Sequence, residues 1–238
     1  VMTITPVSET TFLISFGQTI TPKVADTIAA ALPIIRQVMG NSLIDMIPSY
    51  SSILIEFDNG IMAMTSCIHA LDQQLSRDNE LGTTAPNQDT LEIPVYYGED
   101  VALDQHAICT HTGLSFEDIV RLHTQQTYRV YALGFLPGFA YLGQLDDRLT
   151  IPRKTSPSFR IPKGSVAIAD QQTAVYPKAS PGGWHVIGRT PVDLIDYQRQ
   201  TLTLFTPAAK VRFVPISQAT FLAMGGQLDS SLVEGTRC

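Results

Sequence analysis

Apolar positions change period three times along the first 77 residues. Phe12, Ile14 and Phe16 alternate with polar neighbours, the two-residue period of a half-buried strand, and residues 2–16 read as two short strands around a Ser-Glu-Thr turn. Thr21-Pro22 is an N-cap followed by proline at the first helical position. Val24, Ile28, Ala31 and Ile35 then recur at helical spacing, so 22–39 is predicted to be a helix, kinked or ended early by Pro33. Residues 43–47 and 52–57 form a hairpin pattern joined through Pro48-Ser49-Tyr50. A second helix over 61–77 carries Met64, Ile68, Leu71 and Leu75 on one stripe.

The polar, Gly/Pro-bearing stretch 79–90 reads as a linker. Beyond it, 91–97 is a strand, and 101–126 holds two short helices. The first ends at Gly113, a C′ glycine, and the second starts at Ser115 with Asp118 three residues on, a capping-box-like start. From Tyr128 the texture becomes short strands with frequent Gly and Pro, the pattern of a β-barrel or sandwich. The expectation is an α+β chain of two domains. Residues 1–90, with two helices interleaved among strands, suit a ferredoxin-like sandwich, and residues 91–238 form the β domain.

Charge sharpens this picture. The chain of 238 residues has net charge -6, which argues against nucleic acid as a partner. Yet Arg148–Arg189 holds seven basic residues and one acid, Asp170, a local +6 suited to a carboxylate, a phosphate or an acidic partner. The three cysteines are widely spaced and form no CxxC. No signal-peptide pattern and no run of about 18 apolar residues is present, so the expectation is a cytoplasmic protein with no membrane span.

Candidate chemistry is sparse. His69, His106, His111, His123 and His185 form no metal-ligand motif, and no metal site is expected. The "PKGS" at 162–165 is no P-loop, and there is no GxSxG elbow. A Ser165/His185/Asp193 triad has nothing in the sequence to assemble it. What remains is two stiff segments, "GFLPGFAYLGQLDDRLTIPRKTSP" (134–157) and "YPKASPGGWHVIGRTP" (176–191). Proline fixes φ and glycine permits positive φ, so such loops are ordered on folding and bind at low entropic cost. Phe135, Phe139, Tyr141, Tyr176 and Trp184 are expected to line an apolar wall, with Arg153, Lys163 and Arg189 as cationic donors. The alternative is that the aromatics are core and the glycines tight corners.

These segments, with "RIPKGSVAIADQQTA" and the closing "VRFVPI", resemble the allophanate hydrolase subunit 1 family, also called the KipI or PxpB family or carboxyltransferase subdomains C and D. The resemblance is dense over 130–215. It implies a ferredoxin-like domain followed by a cyclophilin-like β-barrel. It also implies work beside a homologous second subunit and a third, lactam-utilisation-type subunit in an ATP-dependent 5-oxoprolinase that opens 5-oxoproline to glutamate. Alternatives within the family are a non-catalytic inhibitor of a sensor histidine kinase and a carboxyltransferase component of a urea carboxylase type. On the leading reading, Arg153, Lys163 and Arg189 contact a small anionic substrate. Gly134, Pro137, Gly138, Pro181, Gly182 and Gly183 shape the pocket or subunit seam. Tyr141, Tyr176, Trp184 and His185 face substrate or partner. ATP serves the complex and is expected on another subunit, and this chain alone is expected to be inactive. Two departures stand out: Ser158 replaces a common arginine, for which Arg160 is the available substitute, and Asp170 replaces a common glycine.

Overall fold

The computed structural model describes residues 2–77, 89–198 and 202–228. Apart from 89 and 90 the expected linker, and all of Cys238, lie outside these residues. The chain divides into two compact units, Val1–Gln88 and Asp89–Cys238. Among the described residues no helix is long and apolar enough to cross a membrane.

The first unit comprises β1 (Thr3–Pro6), β2 (Thr11–Ser15), α1 (Pro22–Met39), β3 (Leu43–Ser49), β4 (Ser52–Phe57) and α2 (Met64–Arg77). Its strands pair antiparallel in the order β1-β2-β4-β3. Alternate residues of β2 and β4 (Phe12, Ile14, Ile53, Ile55, Phe57) meet Ile28, Ala31 and Ile35 of α1 and Cys67, Leu71 and Leu75 of α2. Each such fully buried side chain contributes about 1.5–3 kcal/mol. Thr21 caps α1 by accepting from Val24 N–H.

Two expectations needed correction here. Helix α1 continues past Pro33 to Met39, so it does not end early there. Pro33 itself is on the exposed side of the helix. Helix α2 starts at Met64 because Asp58 occupies the preceding residues in a turn. Its side chain accepts from Gly60 N–H and its carbonyl from Ile61 and Met62.

The second unit comprises β5 (Leu91–Val95), α3 (Gln105–Thr112), α4 (Phe116–Thr124), β6 (Tyr128–Leu133), β7 (Ala140–Gly143), β8 (Ser158–Ile161), β9 (Ser165–Ala169), β10 (Gln172–Val175), β11 (Ser180–Gly182), β12 (His185–Arg189), β13 (Lys210–Pro215) and α5 (Gln218–Ala223). Strand pairing runs β5-β13-β6-β7-β10-β9-β12, antiparallel except for the parallel β5–β13 step. Strands β8 and β11 form a separate antiparallel pair. The expected barrel is not closed by a continuous strand pair. Among the described residues, strand β12 returns to the chain just after β5 through one bridge, Tyr96–Arg189, with backbone bonds of 2.8 Å in each direction. Gly188 permits that approach: a Cβ there would stand 2.8 Å from the Tyr96 carbonyl oxygen.

The sheet encloses a core of Val130, Leu142, Val166, Ile168, Val175 and Ile187, to which α3 adds Ile108 and α4 adds Ile119 and Leu122. Gly113 ends α3 at φ +70, and Ser115 caps α4 by accepting from Asp118 N–H, both as the sequence predicts. Inside the core lies a polar chain. Thr173 Oγ1 donates to the Ala167 carbonyl at 3.1 Å and lies 2.9 Å from His123 Nε2, while His123 Nδ1 lies 2.9 Å from Tyr97 Oη. A hydroxyl has one proton, so Thr173 accepts from Nε2–H and Tyr97 donates to Nδ1. His123 stays neutral, because burial pushes its pKa down to about 3.

Candidate functional site

The outer face of β9 and β10 is floored by Ala167, Ala169 and Ala174. Those small residues leave room for Phe139, Tyr176 and Trp184, which fill it. The Phe139 ring meets Tyr141, Tyr176 and Trp184 edge-on at centroid distances of 5.0, 5.4 and 5.9 Å. Phe139, Tyr176 and Trp184 are 1%, 1% and 5% exposed. They pack on one another over the alanine floor, the core placement that the sequence left as the alternative. Burial pushes the Tyr176 phenol up to about 12. Gly182 on β11 is required by this packing, since a Cβ there would lie 2.3 Å from the Tyr176 hydroxyl. Tyr141 is half-buried at the edge, and Pro181 and Gly183 flank Gly182 at the surface. Gly134, Pro137 and Gly138 form the β6–β7 turn, beside a shallow cavity of about 430 Å³ that Phe135 and Thr203 also line. Phe135 is exposed at φ +71, with its ring against Phe139.

Arg153 lies over the Trp184 ring at 5.6 Å and 3.7 Å from the Asp170 carboxylate. Asp170, at φ +52, makes the β9–β10 turn in a left-handed conformation that Asp tolerates better than most residues. Arg153 shares an open cleft of about 400 Å³ with His111, Lys154, Ser156 and His185. Lys154 Nζ pairs with Asp104 at 2.6 Å and donates to Ser158 Oγ at 2.9 Å, so Ser158 has a structural partner of its own. His185 is buried. Its Nε2 donates to the Pro152 carbonyl at 3.0 Å, and its Nδ1 has no hydrogen-bond partner among the described residues.

Lys163 and Arg189 line a different and more enclosed pocket of about 470 Å³, and Arg160 joins them. Arg160 projects from β8, Lys163 from the β8–β9 turn and Arg189 from the end of β12. Gly164 makes the turn at φ +80, where a Cβ would lie 2.4 Å from the Thr190 carbonyl oxygen. Arg189 is 4% exposed and donates through Nη1 to the Gln227 carbonyl at 2.8 Å. Lys163 pairs with Asp193, both of them largely exposed. Phe221 and Met224 supply an apolar wall.

The expected trio of Arg153, Lys163 and Arg189 is therefore split between two sites, and Arg160 takes the third place. Helix α5 and the turn behind it went unread in the sequence. Ser217, which caps α5 by accepting from Thr220 N–H, was the available signal. The triad stays apart as expected: Ser165 pairs opposite Arg189 and His185 opposite Ile168, at opposite ends of the β9–β12 ladder. Among the described residues no three His, Cys, Asp or Glu side chains group as metal ligands.

The fold and these stiff segments place the chain in a known class. It belongs to the carboxyltransferase domain, subdomain C and D, family, whose sequence model matches residues 2–205. Within that family it is 35% identical over 223 residues to the B-type subunit of 5-oxoprolinase from Bacillus subtilis (strain 168), covering 90% of this chain and 93% of that protein. The solved structure of TTHA0988 matches 87% of the chain at 32% identity and a TM-score of 0.74, and the chain spans 40% of that protein's length. Kluyveromyces lactis urea carboxylase shares the fold over 93% of the chain, with a TM-score of 0.68 at 16% identity. The chain spans 22% of it.

Proposed function

We propose that this chain is one subunit of a cytoplasmic, ATP-dependent 5-oxoprolinase, acting with a homologous second subunit and a third, lactam-utilisation-type subunit. The observation that carries the reading is the likeness to the Bacillus subtilis 5-oxoprolinase subunit, which runs through both units and nearly the whole length of that relative. The first unit is read as a ferredoxin-like sandwich in permuted form, its outer strand supplied by β1 rather than by a strand after α2. The second is read as a cyclophilin-like barrel joined at one bridge. TTHA0988 is more than twice as long as this chain, which supports work alongside further polypeptide. The likeness to urea carboxylase concerns the fold alone.

On this reading the anionic substrate is met by Arg160 and Lys163 at the pocket, with the buried Arg189 adding its charge from behind. A lactam is a poor electrophile, and activating its carbonyl builds negative charge that fixed cations stabilise. The exposed turn at Phe135 and Pro137 belongs to the subunit seam. Reconstitution of the three subunits, with glutamate measured from 5-oxoproline in the presence and absence of ATP, tests the assignment. ATP-dependent glutamate is expected from the complex and none from this chain alone. A folded complex with no product above background rejects it.

A further inference from the structure

We infer that the face of the β1-β2-β4-β3 sheet turned away from α1 and α2 docks a partner subunit through an apolar strip rimmed by lysine or arginine. The inference rests on reading this chain as one part of a complex. Paired residues of neighbouring strands share a face of the sheet, and alternate residues take opposite faces. Phe12, Ile14, Ile53, Ile55 and Phe57 pack under the helices, and the residues between them form the other face. A face that met only water would be polar. Here one row runs Thr5, Leu13, Leu54 and Ile47 across all four strands. Leu13 and Leu54 are half-buried, and Ile47 is 48% exposed. Val7, whose N–H donates to the Thr11 carbonyl at 2.9 Å, adds a side chain 61% exposed beside the next row.

Charge gives the second argument. That next row sets Glu56 directly opposite Asp45, both exposed, and like charges at opposed positions repel. Among the described residues neither carboxylate enters an ion pair. In the first unit the described basic residues Lys23, Arg36 and Arg77 all lie on α1 and α2. The strands and their turns hold Glu9, Asp45, Glu56 and Asp58, and no lysine or arginine. A partner carrying lysine or arginine beside an apolar strip relieves the repulsion and covers Leu13, Leu54 and Ile47 in one contact. TTHA0988 holds this fold within a chain more than twice its length, which keeps further polypeptide close to it in that relative.

Isothermal titration of the 238-residue chain with each of the other two subunits of the proposed complex, at low and at high salt, tests this. Saturable binding to one of them is expected, weakened about tenfold by high salt and about tenfold by Glu56→Lys. Leu54→Glu, which puts charge into the apolar row, should weaken it as well. Glu56→Lys sets an opposite charge beside Asp45, so its melting temperature should equal or exceed that of the wild type while binding falls. A lower melting temperature would make the carboxylate pair structural and overturn the proposal. Binding indifferent to both variants would overturn it too. So would a dimer of the chain alone, seen by sedimentation and dissociated by Glu56→Lys, which gives the face to a second copy. No binding of the wild type to either subunit removes both this proposal and the complex. Variant-sensitive assembly of a complex that forms no glutamate leaves the docking face standing and removes only the 5-oxoprolinase reading.

Discussion

The aromatic cluster and the cationic pocket are built from the same kinds of residue yet have opposite fates. Both draw on the Gly/Pro-framed segment 176–191 and on β8–β9 before it, and both use a glycine at a close approach, Gly182 in one and Gly164 in the other. At the cluster, the alanines of β9 and β10 create a hollow that Phe139, Tyr176 and Trp184 fill, and nothing is left open. At the pocket, Arg160, Lys163 and Asp193 keep their charged ends exposed to water, and about 470 Å³ stays open. Stiff backbone marks both places. The chemistry of the facing side chains decides which one is sealed.

The strongest way to break the comparison is to cut into the cluster. Trp184→Ala or Phe139→Ala should cost about 3–5 kcal/mol in urea unfolding, the range for a buried aromatic. A loss under about 1 kcal/mol would mean the cluster is not sealed. Gly182→Ala should cost about 1–3 kcal/mol, because its methyl must displace the Tyr176 hydroxyl and Ile161. A neutral effect would show that β11 shifts freely.

The interior polar chain adds a pH test. His123 has a folded pKa of about 3, below its ordinary 6.5. Between those values the unfolded chain binds a proton that the folded chain refuses, so stability is fully present above about 6.5 and falls as pH drops toward 3. Denaturation midpoints across that window should show this slope, and His123→Gln should flatten it. An unchanged slope in the variant would assign the loss to other groups.

The smallest stability effects belong to the exposed cations. Lys163→Ala should change stability by no more than about 0.5 kcal/mol while lowering turnover of the reconstituted complex. Arg153→Ala should lose about 0.5–1 kcal/mol, its contact with Trp184, and lower turnover of the reconstituted complex less than Lys163→Ala does. If Arg153→Ala abolished turnover while Lys163→Ala spared it, the division between cleft and pocket would be wrong.

Much of the framework was legible because its causes are local. Thr21 before Pro22, Gly113, and Ser115 with Asp118 each act within one helical turn, and each behaves in the structure as its spacing predicts. Pro33 misled because the cost of a proline depends on which side faces water, and its nearest neighbours in sequence do not reveal that. The site was harder to read. Arg153, Lys163 and Arg189 look equivalent in the sequence, but Arg153 is drawn onto Trp184 and toward Asp170.

Residue order alone settles where the backbone bends, which stretches alternate and where positive charge accumulates, since each follows from interactions a few residues long. Strand register settles the rest. Pairing Ser165 with Arg189 across more than twenty residues carries Lys163 and Arg189 to one end of the β9–β12 ladder and sends His185 to the other. The same pairings put three alanines beneath three aromatics. Register is a sum of many distant contacts, no one of which is strong enough to leave a local mark, so only the assembled unit distinguishes a core from a site.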